Sequence, residues 1–270
     1  MKLGISSNTY AWAVGVPGAA PEHPLTALGL LKKAQELGVS LVQFGPNLPL
    51  DQLPPDQLRN TLRQADFARV DLEIATQGLD PSHLRRQIQF ARRIGAILLR
   101  TTLQTTDCAL PLRTEVVSSL RTIMGDLSKS ALPLAIDNGR IPAAELNEWL
   151  NPLGSPWIGV ALDTATPLAI PEGWQLSVRV LGHRAVCVLI KDFVVQPAAH
   201  GMGYTVEGRP AGKGQLNIPW LVDSLAALRV EPSVIVESWT PEQQTLAETI
   251  ALEAAWAKQS VEYLRRFIAD

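Results

Sequence analysis

Eight short apolar runs recur along this chain, separated by longer stretches of helical period, and that alternation leaves few folds open. The runs are LGISS at 3–7, SLVQF at 40–44, DLEIAT at 71–76, ILLRT at 97–101, LPLAID at 132–137, WIGVALD at 157–163, AVCVLIKD at 185–192 and SVIVES at 233–238. Most are apolar on both faces, as strands covered by helices are. Eight strand-and-helix units in 270 residues match a closed barrel better than an open doubly wound sheet, and no G-x-G-x-x-G follows an early strand. The expectation is one α/β domain over residues 1–270, a (β/α)8 TIM barrel without linker or low-complexity stretch.

The intervening segments read as helices. Leu25, Leu28, Leu30, Leu31, Ala34 and Leu37 make a broad stripe that Gly38 stops, and after Pro81 a cap at Ser82 precedes an inner face of Leu84, Ile88, Ala91 and Ile94. Arg85, Arg86, Arg92 and Arg93 fall outside that face, without interleaved aromatics, so they read as a solvated surface. A last helix from about 241 to 267 closes the ring.

Charge and cysteine content exclude several function classes. A net charge of −2 from interspersed charges leaves no basic stripe for a phosphate backbone, so no nucleic acid partner is expected. Ser6, Ser7, Asn8 and Thr9 interrupt any signal-peptide core and no apolar run is long enough to span a bilayer, which points away from membranes. Cys108 and Cys187 cannot supply a disulfide framework at this size, so a reducing cytoplasm is the simplest setting. Leu264 and Phe267 at the end of the last helix suit either the core or a homo-oligomer contact.

Four of the runs end in acids: Asp137, Asp163, Asp192 and Glu237. Buried carboxylates cost several kcal/mol unless paired, and parallel strands bring their carboxyl ends to one mouth, so the four acids mark a shared polar site. The first strand adds Asn8, Tyr10 and Trp12 there, the second Gln43 and Asn47, the third Glu73, Thr76 and Gln77, the fourth Arg100, and the later ones Lys191 and Trp239. Tyr10, Trp12 and Trp239 serve equally as packing residues. A long Gly-rich excursion after the seventh strand carries His200 and Arg209 and has the character of a lid, so both count as substrate-binding candidates. This hydrogen-bonding inventory suits a small carbohydrate or sugar acid.

The segments PLAIDNGR, VALDTATP, VLIKDF, RPAGKGQLNIPWLV and VIVESWTP resemble the xylose isomerase-like barrels, a group of sugar isomerases, epimerases, dehydratases and related enzymes. SSNTYAWAVGVPG, NLPLD, VEGRPAGKGQLNIPWL and ESWTPE look like the branch that includes 3-oxo-isoapionate decarboxylases. The resemblance implies a divalent ion held by Glu, Asp, His and Glu on strands five to eight. Position by position these become Asp137, Asp163, Leu189 and Glu237. Asp137 is one methylene short, and Leu189 offers no lone pair. The apurinic-site endonuclease branch needs a histidine cluster that this chain lacks.

Three readings follow. In the first, Asp137, Asp163 and Glu237 hold Mg or Mn, which polarises a carbonyl–hydroxyl pair toward an enediolate while Glu73 or Lys191 moves the proton, in isomerase, epimerase or lyase chemistry. In the second, Lys191 forms a Schiff base, against which its acidic neighbours argue by raising its pKa. In the third, Lys191 replaces the metal charge, in a sugar-binding protein or a catalytically silent relative.

Overall fold

The structure, a computed structural model, describes residues 1–103 and 110–268. Cys108 lies outside them. The strands are β1 (Lys2–Ser6), β2 (Leu41–Phe44), β3 (Asp71–Gln77), β4 (Leu98–Thr102), β5 (Leu134–Asp137), β6 (Ile158–Asp163), β7 (Ala185–Ile190), β8 (Asp192–Pro197), β9 (Tyr204–Arg209) and β10 (Ser233–Val236). Eight of them close a parallel barrel in the order β1-β10-β7-β6-β5-β4-β3-β2, while β8 and β9 form a separate antiparallel hairpin.

The helices are α1 (Ala11–Val14), α2 (Ala27–Leu37), α3 (Pro55–Ala68), α4 (Pro81–Ile94), α5 (Arg113–Ser130), α6 (Ala143–Leu150), α7 (Trp174–Leu181), α8 (Ile218–Ala227) and α9 (Leu246–Leu264). Their apolar stripes pack on the outward faces of the strands. In α2, Leu30, Leu31 and Ala34 are fully buried, Thr26 caps the start through the Gly29 N–H, and Gly38 ends the helix at φ 68°. In α4, Leu84, Ile88 and Ala91 face inward and the four arginines are exposed. Its cap is Asp80 and not Ser82, because the Asp80 carboxylate reaches the His83 N–H and Pro81 takes the first helical turn. Leu264 is fully buried in the core, and Phe267 is half-buried and packs against its edge. Among the described residues, no helix is long and apolar enough to cross a membrane.

Inside the barrel the strand period of two sends alternate side chains to the axis. Leu41, Leu98, Ala135, Ala161, Cys187, Leu189 and Ile235 make an apolar plug there. Cys187 and Leu189 are the inward residues of β7, and the next inward position is Lys191, just beyond the strand. The register pairs Leu189 with Ile235, so Lys191 comes level with Glu237 at the mouth.

The run at 185–192 is not a single strand. The chain leaves the barrel at Ile190, and Asp192 opens the hairpin. Asp192 is 2 % exposed, and its carboxylate accepts the N–H groups of Phe193, Gly212, Gly214 and Leu216 at 2.8–2.9 Å. It therefore pins the Gly-rich segment back to the barrel. A Cβ at Gly214 would run into that carboxylate.

Candidate active site

At the carboxyl ends of the strands a cavity of about 320 Å³ is lined by Asn8, Pro46, Asn47, Thr76, Gln77, Arg100, Thr102, Leu103, Asp137, Gly139, Asp163, Thr166, Lys191 and Glu237. Its floor is an ion-pair network. Lys191 Nζ lies 2.5 Å from Asp163 Oδ2 and 3.0 Å from Glu237 Oε2. Arg100 reaches Asp137 Oδ2 at 3.3 Å and Glu237 Oε1 at 3.5 Å.

The remaining oxygens are held by the chain. Asp163 Oδ1 accepts the N–H groups of Ala165 and Thr166, and Asp137 Oδ1 accepts that of Gly139. Glu237 Oε1 accepts from Ser6 Oγ at 3.0 Å and Asn8 Nδ2 at 3.3 Å. Asn138 ties β5 to β6, donating to the Asp163 carbonyl and accepting its N–H. Thr164 does the same for β7 through the Leu189 and Lys191 carbonyls and the Lys191 N–H.

These contacts set the protonation states. Burial pushes the Asp163 carboxyl up, but the charge and hydrogen bond of Lys191 and the two backbone donors outweigh it and hold it below the usual range. Glu237 is likewise held low against its burial by Lys191 and Arg100. Burial works against the Lys191 ammonium, yet Asp163, Glu237 and Asp137 raise its pKa. It stays protonated, which removes the amine nucleophile that a Schiff base requires. Asp137 moves the other way. Burial, reinforced by the Asp163 charge, raises its carboxyl despite Arg100 and Lys191.

Not every anticipated residue reaches this cavity. Glu73 sits lower in the barrel, 1 % exposed, accepting from Gln43 Nε2 at 2.8 Å and lining a cavity on the opposite face. Burial pushes it up to about 7, against the hydrogen bonds of Gln43 and Ser233 and the charge of Arg100. Tyr10 is 3 % exposed in the core. Trp12 is bound by its N–H and indole to Glu253 and the Thr240 carbonyl. Trp239 is 44 % exposed, with its ring centroid 6.0 Å from Lys191 Nζ. His200 stands exposed in the turn between β8 and β9, accepting the Met202 N–H, and Arg209 pairs with Glu207. Neither lines the cavity.

Other contributors were less visible in the sequence. Ser6 precedes the anticipated polar cluster but is the inward residue at the end of β1, which the period of two would have found. His83 Nε2 lies 2.6 Å from the hydroxyl of Thr76, a cavity-lining residue. No local pattern signals that contact between β3 and α4.

The donor set does not fit a resident divalent ion. The three strand-end carboxylates face two cations of the chain itself, and an ammonium fills the space between Asp163 and Glu237. Leu189, at the position a histidine ligand would take, is fully buried in the apolar plug. Among the described residues, no group of three or more His, Cys, Asp or Glu side chains is arranged to hold a metal.

The chain matches the xylose isomerase-like TIM barrel family over residues 30–267. It is 25 % identical over 265 residues to a 3-oxo-isoapionate decarboxylase of Pectobacterium atrosepticum, covering 98 % of this chain and 95 % of the relative. Among solved structures it is similar to D-psicose 3-epimerase from Clostridium cellulolyticum, with a TM-score of 0.76 at 11 % identity over 100 % of both chains. A xylose isomerase-like barrel protein from Mycobacterium smegmatis in complex with magnesium matches at TM-score 0.72 and 12 % identity over 97 % of each chain. At such identities these structures show the fold alone.

Proposed function

This chain belongs to the xylose isomerase-like TIM barrel family, and on that premise we propose that it acts on a small sugar-derived 3-oxo acid at the barrel mouth, decarboxylating it through an enediolate. The observation that carries this reading is the Lys191 ammonium, fixed between Asp163 and Glu237 on the floor of the cavity. Two of its three N–H groups are taken by those acids, which leaves one for a substrate oxygen. A lone donor suits a reaction that builds charge on one carbonyl oxygen. The activity named for the Pectobacterium relative, 3-oxo-isoapionate decarboxylase, is of that kind.

The steps balance without any further reactant. With the 3-oxo oxygen on Lys191, the C1–C2 bond breaks, CO2 leaves, and its electron pair forms the C2–C3 double bond as charge moves onto the oxygen. Fixed cations stabilise that charge as it develops. The resulting C2 carbanion equivalent takes its proton from water in the open cavity, while Asp137 stays paired with Arg100. Asn8, Asn47 and Gln77 offer amides and Thr76, Thr102 and Thr166 hydroxyls to the substrate's own hydroxyls. The cavity lies at the small end of the range for small-molecule sites, roughly 300–1,000 Å³, which suits one sugar-sized molecule.

The test offers the protein a C1-labelled 3-oxo sugar acid and, separately, D-psicose and D-fructose in deuterated water. Labelled CO2 released faster than in the protein-free control supports the reading. Deuterium entering the ketoses with no CO2 from the acid overturns it in favour of epimerase chemistry. The pairing of Lys191 and of Arg100 with two carboxylates each also favours a second reading, a sugar-binding protein, which saturable binding without any turnover would establish.

A further inference from the structure

We propose that Lys191 is a built-in replacement for a divalent cation: its ammonium holds the position between Asp163 and Glu237, and the site works without a metal ion. Three independent features converge on this. The ammonium is in ion-pair contact with two carboxylates from different strands, at 2.5 and 3.0 Å, and its side chain is only 14 % exposed. The strand that would supply a nitrogen ligand instead supplies a leucine, packed among Leu41, Leu98, Ala135, Ala161, Cys187 and Ile235. The next inward position, just past the end of that strand, carries the cation. Finally, the third carboxylate, Asp137, is occupied by Arg100, which also touches Glu237.

An added divalent ion would have to expel a buried ammonium from two carboxylates and leave it without partners. That loss is large, since breaking one side of a buried pair strands a charge. Replacing Lys191 by a neutral side chain reverses the situation: Asp163 and Glu237 lose their counter-ion, and the oxygen cage becomes a cation site. The inference takes the location of the reactive centre from the proposed function, but metal binding is read without turnover, so the two can fail separately.

The test titrates chelator-treated wild-type protein, Lys191→Met and Lys191→Gln with MnCl2, reading free Mn by electron paramagnetic resonance. No stoichiometric site is expected in wild type, and one site per chain at least about tenfold tighter in either folded variant. A stoichiometric site in wild type as tight as in the variants, or no gain in a folded variant, overturns the proposal. A second measurement uses wild type alone and stands even if neither variant folds. The Lys191 ammonium resonance should persist on adding millimolar MnCl2, and its loss through displacement or paramagnetic broadening would contradict the proposal.

Discussion

Lys191 and Asp163 meet at 2.5 Å, the ammonium of the chain just past β7 against the carboxylate that ends β6. Asp163 is 3 % exposed, so the contact is made almost out of water. Removing one member of such a pair leaves an unbalanced charge. Asp163→Asn is expected to lower stability by about 3–5 kcal/mol, read as the shift in a urea unfolding curve. Lys191→Met added to it should cost less than the sum of the two single changes. Additive losses would mean that the two side chains do not act as a pair.

Glu73 and Glu253 set a pH dependence of the opposite kind to an acid salt bridge. Burial pushes both up to about 7 from 4.5, Glu253 against the N–H groups of Trp12 and Ala13 that its oxygens accept. Between those values the native protein binds more protons than the unfolded chain, so stability falls as pH rises through the window. Each group accounts for up to about 3 kcal/mol of that fall. Unfolding midpoints at about pH 5 and about pH 8 should converge in Glu73→Gln relative to wild type. An unchanged difference would show that Glu73 ionises alike in both states.

Two glycines should respond in opposite directions. Gly208 on β9 is packed against the backbone of Trp239, and a methyl there would meet the Trp239 carbonyl. Gly208→Ala is expected to cost about 1–3 kcal/mol, because backbone must move. Gly125 lies inside α5 with open space around it. Gly125→Ala should stabilise by up to about 1 kcal/mol. Thermal melts of the two variants check both signs, and a neutral Gly208→Ala would show that the hairpin is not anchored there.

Much of this architecture is legible in the chain. The eight barrel strands and the helices between them are legible because strands buried on both faces and amphipathic helices each leave a strong local period, although the last helix begins at Leu246 rather than near 241. The acids Asp137, Asp163 and Glu237 converge because parallel strands share a mouth, a consequence of topology that sequence alone conveys. The errors have local causes. The cap at Asp80 was hidden by Ser82, an equally good capping residue two positions on. The break after Ile190 was hidden because Asp192 follows Lys191 without interruption, and its four N–H partners come mostly from the distant Gly-rich segment. Glu73 sits below the mouth because depth along the axis depends on barrel stagger, which no spacing within one strand reveals. The contacts of Ser6 with Glu237 and of His83 with Thr76 are tertiary and leave no motif.

The central claim, a sugar-acid lyase site run by a lysine in place of a metal, is tested most directly by the rate of CO2 release from a 3-oxo sugar acid in chelator-treated protein. Wild type is expected to keep its full rate without added metal, and Lys191→Met to lose about 10²–10³-fold in kcat, the scale of removing one donor to a developing oxyanion. A wild-type rate that disappears on chelation and returns with manganese, or a Lys191→Met variant as fast as wild type, would contradict it.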